Sequence, residues 1–106
     1  MALIAGSCAI GTALAQTYPS RPIRLIVPYA AGGNGDIVGR IVAQRLTPPM
    51  GQQVVVDNRA GAGGNIGTET GARANADGYT LTIGSTSTYI TNVVLEPKLP
   101  FDPRRD

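Results

Sequence analysis

Three stretches of small residues hold the side chains and backbone best suited to chemistry in this chain. Gly32-Gly33-Asn34-Gly35-Asp36 and Gly61-Ala62-Gly63-Gly64-Asn65 both place glycines where backbone amides can come close to a partner, and Ser85-Thr86-Ser87 supplies hydroxyls. Where such a stretch opens a helix, the unpaired N–H groups and the positive end of the helix dipole suit an anion without any basic side chain. Gly32 to Gly35 and Gly61 to Gly64 together fit a ligand with at least one carboxylate. The charge of Asp36 itself repels a bound anion, so this residue caps the helix and serves a ligand only by orienting the turn or a water. Tyr29 either walls the site or packs on a sheet, and Arg59 either pairs with a ligand or is a solvated loop charge. The Ser85 to Ser87 hydroxyls suit a carboxylate or bridging water equally with an ordinary turn. Acid–base and nucleophilic chemistry has few candidates: there is no histidine, the single cysteine is Cys8, and the seven Asp and Glu residues form no recognisable pair. The chain does not read as an enzyme.

These stretches need elements to position them. Ile23 to Val27 is an apolar run bounded by Pro22 and Pro28, which predicts a buried strand. Ile37, Val38, Ile41, Val42 and Leu46 then recur at helical spacing opposite Arg40 and Gln44, which predicts an amphipathic helix with those apolar residues inward. Pro48-Pro49 is expected to stop that helix at Thr47. A second strand over Gln53 to Asp57 leads through the second glycine turn into a helix from Asn65 to about Ala74, with Ile66, Gly67, Thr70, Gly71 and Ala74 inward. Tyr79 to Ile83 reads as a third strand, followed by a small polar connection, Gly84 to Thr88. The order βαβαβ predicts an α/β fold with a parallel sheet and right-handed crossovers. All three stretches then fall at the carboxyl edge of the sheet, where ligands bind in such folds.

A length of 106 residues suits about one small domain. The net charge of +2 comes from scattered arginines with few aromatics, which excludes a nucleic-acid footprint. Residues 1–15 are uncharged, rich in Ala, Leu, Ile and Gly, and end in Ala13-Leu14-Ala15, resembling the later part of a cleaved secretory signal peptide whose positive start is missing. Such a run is shorter than the roughly 20 apolar residues of a membrane span. Cleavage there removes Cys8, which sits in a poor lipoprotein context, and leaves no thiol and no disulfide. No cofactor or metal site is expected. The rival is a dinucleotide-binding domain of an oxidoreductase, because Asp57 lies about 20 residues beyond the first turn, where that fold keeps its ribose-binding acid. Its G-x-G-x-x-G fingerprint, however, needs glycine where Val38 and Ile66 stand, and the phosphate-loop G-K-[ST] ending is absent.

Pro28-Tyr29-Ala30-Ala31-Gly32-Gly33-Asn34-Gly35-Asp36 resembles the P-[FY]-x-x-G-G-x-x-D loop of the Bug family, the substrate-binding proteins of tripartite tricarboxylate transporters. The likeness continues through Gly51-Gln52, Val54-Val55-Val56, Asn58-Arg59-Ala60-Gly61-Ala62-Gly63-Gly64-Asn65-Ile66-Gly67, Asp77-Gly78-Tyr79-Thr80-Leu81 and Lys98-Leu99-Pro100-Phe101-Asp102, nearly all of residues 18–106. It implies a lobe of a two-lobed periplasmic binding protein of the type II-like, Venus-flytrap kind. Residues 16–106 would form the amino-terminal part of its first domain, with the second lobe missing. It also implies a small di- or tricarboxylate as ligand, membrane components of the transporter as partners, and carboxylate capture through main-chain groups and bridging waters of the first two turns, Ala31 to Asp36 and Ala62 to Asn65, with Ser85 to Ser87 as the third contributing loop. Two positions depart from the family pattern: Ala60 replaces the usual proline, which should loosen the second turn, and Pro48-Pro49 interrupts a helix that relatives continue toward Gly51.

Overall fold

A computed structural model describes residues 17–106; the expected leader and Cys8 lie outside the described residues. The chain forms β1 (Ile23–Val27), α1 (Asn34–Met50), β2 (Val54–Asn58), α2 (Asn65–Ala72), β3 (Thr80–Thr82) and α3 (Asn92–Leu95). The strands make one parallel sheet in the order β2-β1-β3, with Ile23 opposite Val54, Val27 opposite Asn58 and Leu25 opposite Leu81. The expected α/β fold with a βαβαβ parallel core is therefore present. The ladder also reaches beyond the short third strand, because the Arg24 amide donates to the Tyr79 carbonyl and the Ile83 amide to that of Ile26.

The central strand is the most buried element, as the prolines bounding its apolar run predict, and the core gathers Ile23, Leu25, Ala43 and Val54 with Val42, Leu46, Leu81 and Ile83 against them. The inward face of α1 differs from the expected one. Ile37, Val38 and Ile41 are each about half exposed, whereas Asp36, Gly39 and Ala43 are buried. Close approach explains this, since a Cβ on Gly39 would come within 2.5 Å of Val27 Cγ2. Only glycine and alanine fit where the helix axis runs so near the strand. The larger apolar side chains are displaced to its flanks.

Nor does α1 stop at Thr47. Pro48 and Pro49 sit inside its last turn, and it ends at Met50 with Gly51 in the left-handed region (φ 68°), whose amide donates to the Thr47 and Pro48 carbonyls. Prolines so close to the end forfeit only two amide donors. The Thr47 hydroxyl secures that end by donating to the Ala43 carbonyl at 2.8 Å and accepting the Val54 amide at 3.2 Å. This helix is thus continuous toward Gly51.

Alternation along the strands sends α1 and α2 to opposite faces: Gly39 faces Val27 and Ile83, whereas Gly67 faces Pro28 and Gly71 faces Thr82. α2 keeps the expected small inward residues Gly67 and Gly71 and adds Thr68, but Ile66 is half exposed, and the helix ends at Ala72 rather than Ala74. Ile66 turns outward because the sheet side of α2 leaves no room for a Cβ. A Cβ on Gly67 would meet the Arg59 carbonyl oxygen at 2.6 Å and Pro28 Cα at 2.7 Å. Beyond β3, the expected loose connection is instead largely helical, with a wide turn over Ser87–Thr91 running directly into α3.

Candidate functional site

Because all three strands run the same way, the segments after Val27, Asn58 and Thr82 leave from one edge of the sheet. These segments contain the three stretches. Tyr29 joins them. A Cβ on Gly35 would collide with its ring, one on Gly64 would fall 3.3 Å from its Cε1, and its hydroxyl hydrogen-bonds with Ser85 Oγ. One half-buried ring therefore touches the first turn of α1, the entry to α2 and the third connection, packing among the three stretches.

In the first stretch Gly32 adopts a positive φ of 88°, which brings its amide to Asp36 Oδ2 at 2.9 Å. Asp36 is 4 % exposed and also accepts from Asn58 Nδ2 at 3.0 Å and Arg40 Nε at 3.0 Å. The Gly32 amide, the Asn58 amide and the Arg40 guanidinium, in that order, hold its carboxyl at about 2 against an ordinary 3.8. Gly33 is the residue before the helix and makes no side-chain cap, so Asp36 does not cap α1 in the expected way. It reaches back from the third helical position to fasten the preceding turn. The Gly33 amide is used as well, by the Ala30 carbonyl at 3.3 Å, and that of Ile37 by the Gly33 carbonyl. The amides of Asn34, Gly35 and Asp36 open the helix and have no carbonyl four residues back within it. Ala31 and Asn34 lie on the exposed surface of this turn.

The second stretch is a run of positive φ angles: 129° at Gly61, 49° at Ala62, 64° at Gly63 and 94° at Gly64. An alanine in the left-handed region costs roughly 1–2 kcal/mol, and such strain concentrates where a backbone shape serves a purpose. The run wraps the chain tightly, with the Gly64 amide on the Gly61 carbonyl at 3.0 Å, and delivers it to the start of α2. Asn65 is buried. Its Nδ2 donates to Glu96 Oε2 at 3.0 Å and its Oδ1 accepts from Asn92 at 2.7 Å, so its side chain ties the turn to α3.

In the third stretch Ser85 Oγ lies 2.7 Å from Ser87 Oγ, and the fully buried Thr88 hydroxyl accepts the Ser85 amide at 3.1 Å. Thr86 is exposed. A hollow of ≈320 Å³ separates this stretch from the first one and is lined by Tyr29, Asn34, Gly35, Val38, Ile83, Gly84 and Ser85. Larger hollows lie away from this edge, one beside α1 and β2 (≈570 Å³) and one at the amino ends of the strands (≈460 Å³).

All the expected site residues thus lie along one edge, although Asp36 and Asn65 spend their side chains on the scaffold. Three residues outside the sequence-based set matter to it: Asn58, which bridges Asp36 Oδ1 and the Tyr29 carbonyl, Thr88, and Asn92. Asn58 stands in the Asn58-Arg59-Ala60-Gly61 segment, so its place at the end of β2 was the available signal. Arg59 pairs with Asp57 at 3.1 Å, which places it in the loop rather than toward the hollow. Burial pushes the Asp57 carboxyl up, but hydrogen bonds from Arg24 and Arg59 outweigh it and hold the group below its usual range. A doubly paired Asp57 is poorly placed to receive a ribose. No group of His, Cys, Asp and Glu among the described residues could hold a metal.

A family model described as the tripartite tricarboxylate transporter family receptor, TctC, matches residues 38–106. The chain belongs to this receptor family. The match gives the rival dinucleotide-binding reading no support, since the family is one of solute receptors. The chain is 47 % identical to the protein BugT of Bordetella pertussis, over 87 % of this chain and 28 % of that protein. Among solved structures, Rpa4515 of R. palustris with adipate is 39 % identical with a TM-score of 0.79, over 84 % of this chain and 30 % of that one. MatC from Rhodopseudomonas palustris with bound malate is 36 % identical with a TM-score of 0.77, over 81 % and 29 % respectively. This receptor-family chain spans less than a third of the length of each of these relatives.

Proposed function

We propose that this chain is the amino-terminal part of the first domain of a periplasmic receptor, which captures a small carboxylate for the membrane components of a tripartite tricarboxylate transporter. The observation that carries the proposal is the convergence of Gly35, Gly64 and Ser85 on the Tyr29 ring, which gathers three donor-bearing stretches at one edge of a parallel sheet. In this reading the amides of Asn34, Gly35 and Asp36 and those of Ala62 and Gly63 face the ligand, while the Gly64 and Asn65 amides, held by the Gly61 and Ala62 carbonyls, keep the second turn in shape, and the Ser85, Thr86 and Ser87 hydroxyls complete the site. Ala31, Gly32 and Gly33 shape the approach. The charge is held by dipoles with no catalytic group beside them, as suits capture and release rather than reaction. The relatives solved with adipate and malate support a dicarboxylate. Residues 1–15 would export the protein, and no helix among the described residues is long and apolar enough to cross a membrane.

Titration of the isotope-labelled chain with millimolar succinate, followed by amide NMR, tests this. Shifts concentrated at residues 34–36 and 62–65 are expected. An absence of shifts there with every small carboxylate tried would count against the receptor function.

A further inference from the structure

The hollow beside the proposed amides is unlike them in character. Asn34, Gly35, Gly84 and Ser85 line it, but most of its surface is apolar, with Tyr29, Val38 and Ile83 among the lining residues. No charged side chain lines it. The hydroxyls at its rim are already committed to one another: Tyr29 with Ser85 Oγ, and Ser85 Oγ with Ser87 Oγ at 2.7 Å and with the Thr88 amide at 3.4 Å. The nearest cations are occupied as well, Arg40 by Asp36 and Arg59 by Asp57.

From this we propose that the hollow receives the methylene stem of the carboxylate ligand, and that the receptor selects unsubstituted aliphatic carboxylates over hydroxylated ones. Such selectivity presupposes the receptor function proposed above. A carboxylate held by the Asn34 and Gly35 amides has its first carbons beside Val38 and Ile83, because the same two residues that open α1 line the hollow. A CH2 there meets only methyl groups and a ring. A hydroxyl on the same carbon exchanges water for a wall of methyl groups and a ring beside rim hydroxyls already engaged with one another, and a polar group left unpaired there costs about tenfold in affinity.

Succinate, malate and tartrate test the idea directly, since they share chain length and charge and differ by successive hydroxyls. In the same amide titrations of the chain, succinate is expected to bind about tenfold more tightly than malate, and malate more tightly than tartrate. Val38→Thr, which puts a hydroxyl on the wall at nearly constant shape, should bring the succinate-to-malate ratio toward one. Ile41→Thr, one turn away and outside the hollow, should leave it unchanged. Equal affinities for the three acids, or a ratio untouched by Val38→Thr, would overturn the selectivity while leaving the receptor function standing. Failure of all three acids to bind would remove both.

Discussion

Replacing Gly67 by alanine sets two physical effects against each other with opposite signs. On helix propensity alone the change should stabilise, because alanine exceeds glycine by about 1 kcal/mol in a helix interior and also restricts the unfolded chain. Against this, the new Cβ would lie 2.6 Å from the Arg59 carbonyl oxygen, 2.7 Å from Pro28 Cα and 2.8 Å from Pro28 Cβ. Carbon contacts are comfortable at about 3.5–4.0 Å, so α2 would have to retreat by roughly 0.8 Å. Two of those three atoms are backbone and the third is a proline ring carbon, so no rotamer change relieves the clash. Overpacking of this kind costs about 1–3 kcal/mol, and with immobile partners the upper half of that range applies. The net expectation is a loss of about 1–2 kcal/mol, read as a lower urea midpoint at unchanged slope. Because Ala62 to Asn65 lead directly into α2, the amide resonances of that turn should move with it. An unchanged or raised midpoint would refute the close packing of α2 on the strand exits, and with it the mechanism that fixes the second turn.

Two further perturbations address the first turn and the end of α1. Asp36 titrates at about 2 in the folded chain against 3.8 ordinarily, so its contribution is fully present above 3.8 and is lost as pH falls toward 2; the urea midpoint should fall across that window, and Asp36→Asn should flatten the part of the fall that belongs to this residue. A midpoint that falls identically in wild type and variant would show that the turn does not depend on the carboxylate. Thr47→Val removes the hydroxyl that accepts the Val54 amide, and a donor left unpaired there costs about 1–2 kcal/mol. Hydrogen exchange at Val54 should accelerate accordingly, and unchanged protection would exclude the bridge.

Local rules made much of this architecture legible. Proline on both sides of Ile23 to Val27 marks a strand without reference to the rest of the molecule, and the glycines ahead of Asn34 and Asn65 mark two helix starts. The alternation then forces the three stretches to one edge, because parallel strands and right-handed crossovers allow no other arrangement. The step from apolar to inward held for β1 and, on α1, for Val42 and Leu46, but failed elsewhere on that helix. On α1, Ile37, Val38 and Ile41 give the right helical period but not the buried side, which Gly39 and Ala43 take because Val27 lies so close. A helical wheel has no knowledge of interaxial distance, and here that distance decides the face. Pro48-Pro49 misled for a related reason: the rule against helical proline weakens in a last turn, and the stabilising contact, Thr47 to Val54, joins residues that no local window pairs. The sharing of Tyr29 among three loops was likewise invisible, since it depends on where Gly35, Gly64 and Ser85 meet in space.

The buried carboxylate of Asp36 raises the question of how the same helix start could also serve the proposed carboxylate ligand. Its geometry answers by dividing the donors. Asp36 takes the Gly32 amide from behind the turn, along with Asn58 and Arg40, and thereby satisfies a charge that would otherwise compete for the helix end. The Arg40 guanidinium at 3.0 Å leaves the pair close to neutral as seen from the hollow. Asp36 takes neither the Asn34 nor the Gly35 amide, and these two residues line the hollow together with Tyr29. In the proposed receptor function, a ligand carboxylate arriving there would meet the helix dipole with the charge of Asp36 already compensated, so attraction would survive without any free basic side chain.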